Sequence, residues 1–153
     1  MASDEFNGIF RAIDDMPNVL KRKYLTKAAK AGAQVQLDMM RDLCPVATGN
    51  LRDSLIMSVA RESNADEVVV RTGPDKKMGY IAHFIEFGTG AHEIRADAKS
   101  MLASEFDVFG KTVSHPGIKA RPFMRPALTN TAGAAKAIAA GVLADLIEEF
   151  EKK

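Results

Sequence analysis

The chain has no tryptophan, one cysteine and only two tyrosines in 153 residues. One cysteine excludes an internal disulfide, and Cys44 stands before a proline with no nearby His or second Cys to complete a metal or redox site. Its simplest role is that of a small apolar residue at a helix end. An excess of charge of either sign is lacking too, since 21 Lys and Arg face 20 Asp and Glu. That balance argues against a strongly basic nucleic-acid binder and against an acidic tail protein. No stretch reaches the ~20 apolar residues of a membrane span, because Lys136 and Asp145 interrupt the most apolar run. The N-terminus bears Asp and Glu where a secretory leader is basic and then apolar, so synthesis in the cytoplasm without secretion is expected. What is present, 46% apolar and 27% charged residues, suits an ordinary globular chain. At this length one domain with one modest core, residues 1–153, is expected.

Residues 3–15 suit a short amphipathic helix, with Ser3 as N-cap and Phe6, Ile9, Phe10 and Ile13 on one face. Pro17 then opens a helix from about Asn18 to Leu43, whose apolar stripe reads Leu20, Tyr24, Ala28, Ala31, Val35, Met39. A second stripe carries Lys23, Lys27, Lys30 and Gln34, with Arg41 further along. It has two readings: a solvated face, or a surface turned toward phosphates, as on the wall of a DNA-conducting ring. Pro45 ends the helix, and Thr48-Gly49-Asn50 is turn chemistry. Residues 51–60 and 67–72 read as strands around a loop at Ser63 to Asp66, with Gly73-Pro74 opening an exposed turn. Tyr80, Phe84 and Phe87, at i, i+4 and i+7, favour a short helix over a strand for residues 80–87. His92 to Arg95 and Phe106 to Val113 suggest a projecting hairpin with a polar turn over residues 96–104. A last long helix runs from Pro122 or Phe123 to about Phe150, with Pro126 tolerated in its first turn. Its broad apolar face, Leu128, Ala135, Ile138, Val142, Leu143, Leu146 and Phe150, is expected to cover the sheet. Opposite lies a small-residue stripe, Gly133, Ala137, Ala140, Gly141 and Ala144.

Chemistry finds little support. His83, Glu86, His92 and His115 supply ligand types for a small metal-dependent enzyme, yet their spacing matches no H-E-x-x-H or paired C-x-x-C frame. Ser54, Ser58 and Cys44 have no nucleophile motif around them, and no phosphate loop is present. No catalytic residue, metal ligand or cofactor is expected. A DNA-binding accessory role is a further alternative, but aromatics interleaved with cations and a helix-turn-helix are missing.

The organising stretch is Gly79 to Gly90, in which large apolar residues surround the carboxylate of Glu86 before the chain stops on Gly88-Thr89-Gly90. Its answering segment, His115 to Leu128, is stiffened by Pro116, Pro122 and Pro126. A carboxylate in an apolar block wants a cation, and Arg121 or Arg125 is the expected partner.

Glu86-Phe87-Gly88-Thr89, followed by Arg121-Pro122-Phe123-Met124-Arg125-Pro126-Ala127, resembles the (V/I)EFGT … (R/Q)PF(L/M)RPA pattern of the HK97 gp10-like phage proteins. Pro45, Thr48, Gly49, Leu51, Arg52 and Ser54 resemble the family's P-x-x-T-G-x-L-R-x-S block. The elements fall in the family's order across residues 44–128. The resemblance implies an α+β fold, with a small antiparallel sheet from residues 51–60, 67–72 and part of 91–113 packed against two long helices. Helices are then expected over residues 1–43, the sheet region over 44–121 with an arm at about 91–115, and the last helix over 122–153. It also implies a structural virion-assembly protein of a tailed phage or prophage, forming a homo-oligomeric ring, most simply of six, at the head–tail junction. Its partners would be itself and other neck and tail proteins, with DNA passing through the lumen unread and no membrane. It would act in the virion after assembly in the host cytoplasm. In that picture Glu86 with Arg121 or Arg125 clamps the Pro-rich segment, and Phe87 and Phe123 fill the pocket beneath. Pro45, Thr48, Gly49, Leu51, Arg52 and Ser54 open the first strand, and His92, Ile94, Phe106, Val108, Phe109, His115 and Pro116 form an interface arm.

Overall fold

The computed structural model describes residues 11, 13–96, 102–103 and 108–152. Helix α1 spans Asn18–Leu43. Pro17 starts it, its carbonyl accepting the N–H groups of Leu20 and Lys21 at 2.9 and 3.0 Å. Cys44, pushed out of the α region by Pro45, ends it in an extended conformation. Most of the helix expected over residues 3–15 falls outside the described residues; Arg11, Ile13 and Asp14 are helical.

The long helix α4, Met124–Glu151, packs chiefly along α1 rather than over a sheet. Small residues decide which faces meet. A Cβ placed on Gly32 would lie 2.6 Å from the carbonyl oxygen of Ala135, so the backbones pass too closely for any larger residue. Helix α1 therefore buries Ala28, Gly32, Ala33, Leu37 and Met40, while Ala31, Val35 and Met39 of the expected stripe are half-buried. Helix α4 buries Ala127, Thr131, Ala135, Leu146 and Ile147, and leaves Leu128 and Ile138 exposed.

A four-residue helix, α2 (Asn50–Asp53), precedes β1 (Leu55–Val59). The first strand thus begins later than residue 51, because Gly49, at φ 86°, turns the chain into a helical turn whose first bond joins Asp53 N–H to the Gly49 carbonyl. Strand β1 pairs antiparallel with β2 (Val70–Pro74), Leu55 facing Pro74 and Val59 facing Val70. Gly73-Pro74 therefore belongs to the strand, and proline is tolerated on its last rung. The turn comes next, where the Asp75 carboxylate accepts the N–H groups of Lys77 and Met78, each at 2.9 Å.

Helix α3 spans Gly79–Phe87. Strands β3 (His92–Arg95), β4 (Leu102–Ala103), β5 (Val108–Gly110) and β6 (Thr112–His115) form the arm. β3 pairs with β6 and β4 with β5, both antiparallel. None joins β1–β2, so the expected single sheet is three two-stranded ladders among the described residues. Phe106 lies outside the described residues. The main core gathers Leu37, Met40, Cys44, Leu51, Leu55, Ala82, Phe123 and Ala127. A second cluster, Ile13, Met16 and Ile147 with Leu20, Tyr24, Leu143 and Phe150, closes the other end of the helix pair. The class is α+β, two long helices with small antiparallel ladders.

Candidate functional site

Glu86 is buried at the end of α3, and its partners are backbone amides rather than a guanidinium. Its Oε2 accepts the N–H groups of Phe123 and Met124 at 2.8 and 2.9 Å, and its Oε1 that of Arg125 at 2.9 Å. A helix leaves its first N–H groups without intrahelical partners. Here Glu86 takes three, Pro126 has none to offer, and Ala127 makes the first intrahelical bond, to the Phe123 carbonyl at 3.2 Å. Every donor of the first turn is thereby satisfied. Among the described residues Glu86 forms no ion pair with Arg121 or Arg125. Arg125 lies over the Phe87 ring instead, 5.8 Å from its centroid. Burial pushes the Glu86 carboxyl up, but the bonds from Arg125, Phe123 and Met124, with the Arg125 charge, outweigh it and hold the group below the usual carboxylate range.

The two segments are also laced by backbone. Arg121 N–H donates to the Ile85 carbonyl at 2.7 Å, and Thr89 and Ile118 exchange bonds of 2.9 and 3.1 Å. Ile118 N–H also reaches the Thr89 hydroxyl at 3.0 Å. Gly88 (φ 73°) and Gly117 (φ 87°) make this approach possible: a Cβ on either would fall within 2.5 Å of a facing carbonyl oxygen, that of Ile118 or Thr89. Phe123 is fully buried beneath, whereas Phe87 is not: it is 55% exposed. The strand-opening residues stabilise the turn before β1. Leu51 is in the core, the Ser54 hydroxyl donates to the Leu51 carbonyl at 2.7 Å, and Arg52 is exposed near Asp53. Burial pushes the thiol of Cys44 up, with the charge of Arg52 offsetting part of it.

With Glu86 fixing its inner side, α3 turns Tyr80, Phe84 and Phe87 outward, at 63, 42 and 55% exposure. The aromatic spacing that marks this helix therefore marks its outer face; Ala82 and Glu86 are its buried residues. Tyr80 and Phe84 pack edge to face, and His83 lies tilted against Phe87 with ring centres 4.9 Å apart. A shallow groove lined by Phe84, Ile94 and Ile118 continues this apolar surface onto the foot of the arm.

The histidines do not assemble with Glu86. His92 and His115 face each other across the arm, ring centres 5.1 Å apart. His92 Nδ1 lies 3.0 Å from the Gly90 carbonyl, and His115 Nδ1 accepts Gly117 N–H at 3.1 Å. Among the described residues no three His, Cys, Asp or Glu gather to hold a metal, and no helix is long and apolar enough to cross a membrane. Lys23, Lys27 and Lys30 are all exposed on α1, but Arg41 is tied back, donating to the Leu55 carbonyl at 3.1 Å. Lys21, which no pattern singled out, pairs with Asp66 at 2.7 Å and Asp14 at 3.3 Å, anchoring the start of α1 to the β1–β2 loop. Only the folded loop brings Asp66 within its reach.

A family model described as "Bacteriophage HK97-gp10, putative tail-component" matches residues 9–88, more than half of the chain. That span takes in Pro45 to Ser54 and ends on Glu86-Phe87-Gly88. No curated protein and no solved structure matches the chain.

Proposed function

The chain belongs to the HK97 gp10-like family of bacteriophage tail components, and we propose that it forms a homo-oligomeric ring, most simply of six, at the junction of head and tail. The family is one of structural components, not of known enzymes. The role proposed is geometric: the ring completes the tail's upper end or the neck and offers faces to neighbouring neck and tail proteins. Lys23, Lys27 and Lys30 would line a lumen through which DNA passes unread, since clustered cations attract phosphate without sequence preference. Such a ring would be built in the host cytoplasm and reside in the virion.

The outward aromatic face of α3 carries this reading. Helix α3 has nine residues and exposes three large aromatic side chains, although its sequence allows an inward face. A contiguous apolar patch of that kind marks a surface covered by another protein. Helix α3 also cannot rotate to bury it, because Glu86 is bonded to three amides of α4. Phe84→Asp tests the reading. Light scattering on a size-exclusion column, over a wide concentration range, should find a ring-sized species for the native chain. The variant should remain monomeric with its unfolding midpoint nearly unchanged. Equal association of the two chains would overturn the assignment of this face.

A further inference from the structure

A second concave surface lies where the α1–α2 turn and the Pro-rich segment meet Ile85 of α3. Pro45, Val46, Ile85 and Ile118 form its apolar walls, and Lys119 and Arg121 stand with them. Val46 and Ile118 are 58% and 48% exposed. Both cations are exposed, and among the described residues neither has an ion-pair partner. No acidic side chain is among the described residues lining the cleft. An occupant complementary to it presents one large apolar side chain flanked by carboxylates.

The chain has few such segments. In Glu149-Phe150-Glu151 the phenylalanine is already packed on the cluster of Ile13, Met16 and Ile147. In Glu86-Phe87-Gly88 the carboxylate caps α4. Asp4-Glu5-Phe6 has acids on one side only. Glu105-Phe106-Asp107 has a carboxylate on each side of the ring, and it connects Ala103 to Val108, which pair as β4 and β5 of the arm. The β3–β6 ladder separates that segment along the chain from Ile118, at the foot of its own arm.

We propose that Glu105-Phe106-Asp107 of one copy seats in the cleft of a second copy, Phe106 on the apolar walls and the two carboxylates against Lys119 and Arg121. This rests on the homo-oligomer reading above and gives the ring a head-to-tail contact, arm into cleft, which repeats around a closed circle.

Charge exchange on the full chain tests it. Lys119→Glu with Arg121→Glu, and separately Glu105→Lys with Asp107→Lys, should each raise the concentration at which light scattering detects association by about tenfold or more. Mixed in equal amounts, the two variants should associate at the native concentration, because each supplies the charge the other now needs. That rescue also shows that both variants fold. Association that persists in either variant alone, or fails to return in the mixture, overturns the contact while leaving the ring reading intact. Loss of association on Asp4→Lys with Glu5→Lys, but not on the arm reversal, would transfer the cleft to the N-terminal segment and overturn the proposal. A native chain that stays monomeric at every concentration would overturn both the contact and the self-assembly it rests on.

Discussion

The Oε2 of Glu86 lies 2.8 Å from the backbone nitrogen of Phe123, thirty-seven positions later in the chain. Glu86 sits in the last turn of the short helix α3, and Phe123 is the fully buried N-cap of the long helix α4. One carboxylate therefore fixes both the start of α4 and the orientation of α3. It leaves Arg121 and Arg125 free to point elsewhere.

Glu86→Ala removes the acceptor for three N–H groups, one of them buried and two partly so. A lost N-cap costs about 1–2 kcal/mol, and each stranded buried donor about 1–3 kcal/mol. A loss on the order of 3 kcal/mol is expected in chemical denaturation, and less for Glu86→Gln, whose amide oxygen still accepts. A loss below about 0.5 kcal/mol for the alanine variant would show that solvent satisfies these donors equally well.

The same carboxylate makes stability depend on acid pH. Its folded-state pKa is held below the ordinary value, so its contribution is fully present above the unfolded pKa, about 4.3 for glutamate. That contribution is lost as pH falls through the lower folded value. Unfolding free energies measured from pH 7 to pH 3 should thus converge for the native chain and Glu86→Gln, with the gap shrinking below about pH 4. A gap that stays constant across this range would mean that the ionised form is not what binds the amides.

Gly88→Ala and Gly117→Ala should be among the costlier single changes. Each puts a Cβ against a carbonyl oxygen, at 2.5 and 2.2 Å, on a residue with positive φ. A non-glycine residue there costs roughly 1–3 kcal/mol before the collision is counted. Thermal unfolding should show a clear drop for both, and an unchanged midpoint would mean that the Thr89–Ile118 bridge opens without cost.

Two helix-interior glycines should answer the same substitution with opposite signs. Gly133 has open space around it, so Gly133→Ala should stabilise by roughly 0.5–1 kcal/mol through helix propensity alone. Gly32→Ala has the same propensity gain but must part α1 from α4, where its Cβ would meet the Ala135 oxygen at 2.6 Å. Overpacking of about 1–3 kcal/mol should leave it less stable than the native chain. If both substitutions stabilise, the helices are not in contact at this crossing.

Local chemistry was legible in the chain itself. Prolines bounded α1, because proline's fixed φ and its effect on the preceding residue act whatever surrounds them. Turn residues marked Gly49 and Gly88, since glycine tolerates positive φ without a Cβ penalty. The arm's strand β3 and the long helix after Pro122 followed from similar signals. The second arm strand, expected over Phe106 to Val113, is instead divided into β5 and β6, and Leu102–Ala103 of the expected turn pair with β5 as β4. Faces and partners were not legible. Tyr80, Phe84 and Phe87 announce a helix by their period, but period says nothing about which side meets the core. The i+3/i+4 stripe of α1 meets the buried face only at Ala28, because the close passage of α4 at Gly32 turns Ala28, Gly32, Ala33, Leu37 and Met40 inward. Residues 67–72 looked like the strand for their branched side chains, yet pairing with β1 set the ladder at Val70–Pro74.

What the sequence by itself determined was therefore where its two long helices start and stop and where Gly49 and Gly88 turn the chain, because backbone propensities act within a few residues. Only the tertiary structure decided that Glu86 is bound by amides and not by arginine, and that the aromatic face of α3 looks outward. Backbone N–H groups are present at every position but proline and leave no trace in the pattern of side chains. A carboxylate surrounded by apolar residues announces that it needs donors, and only the folded chain says whose.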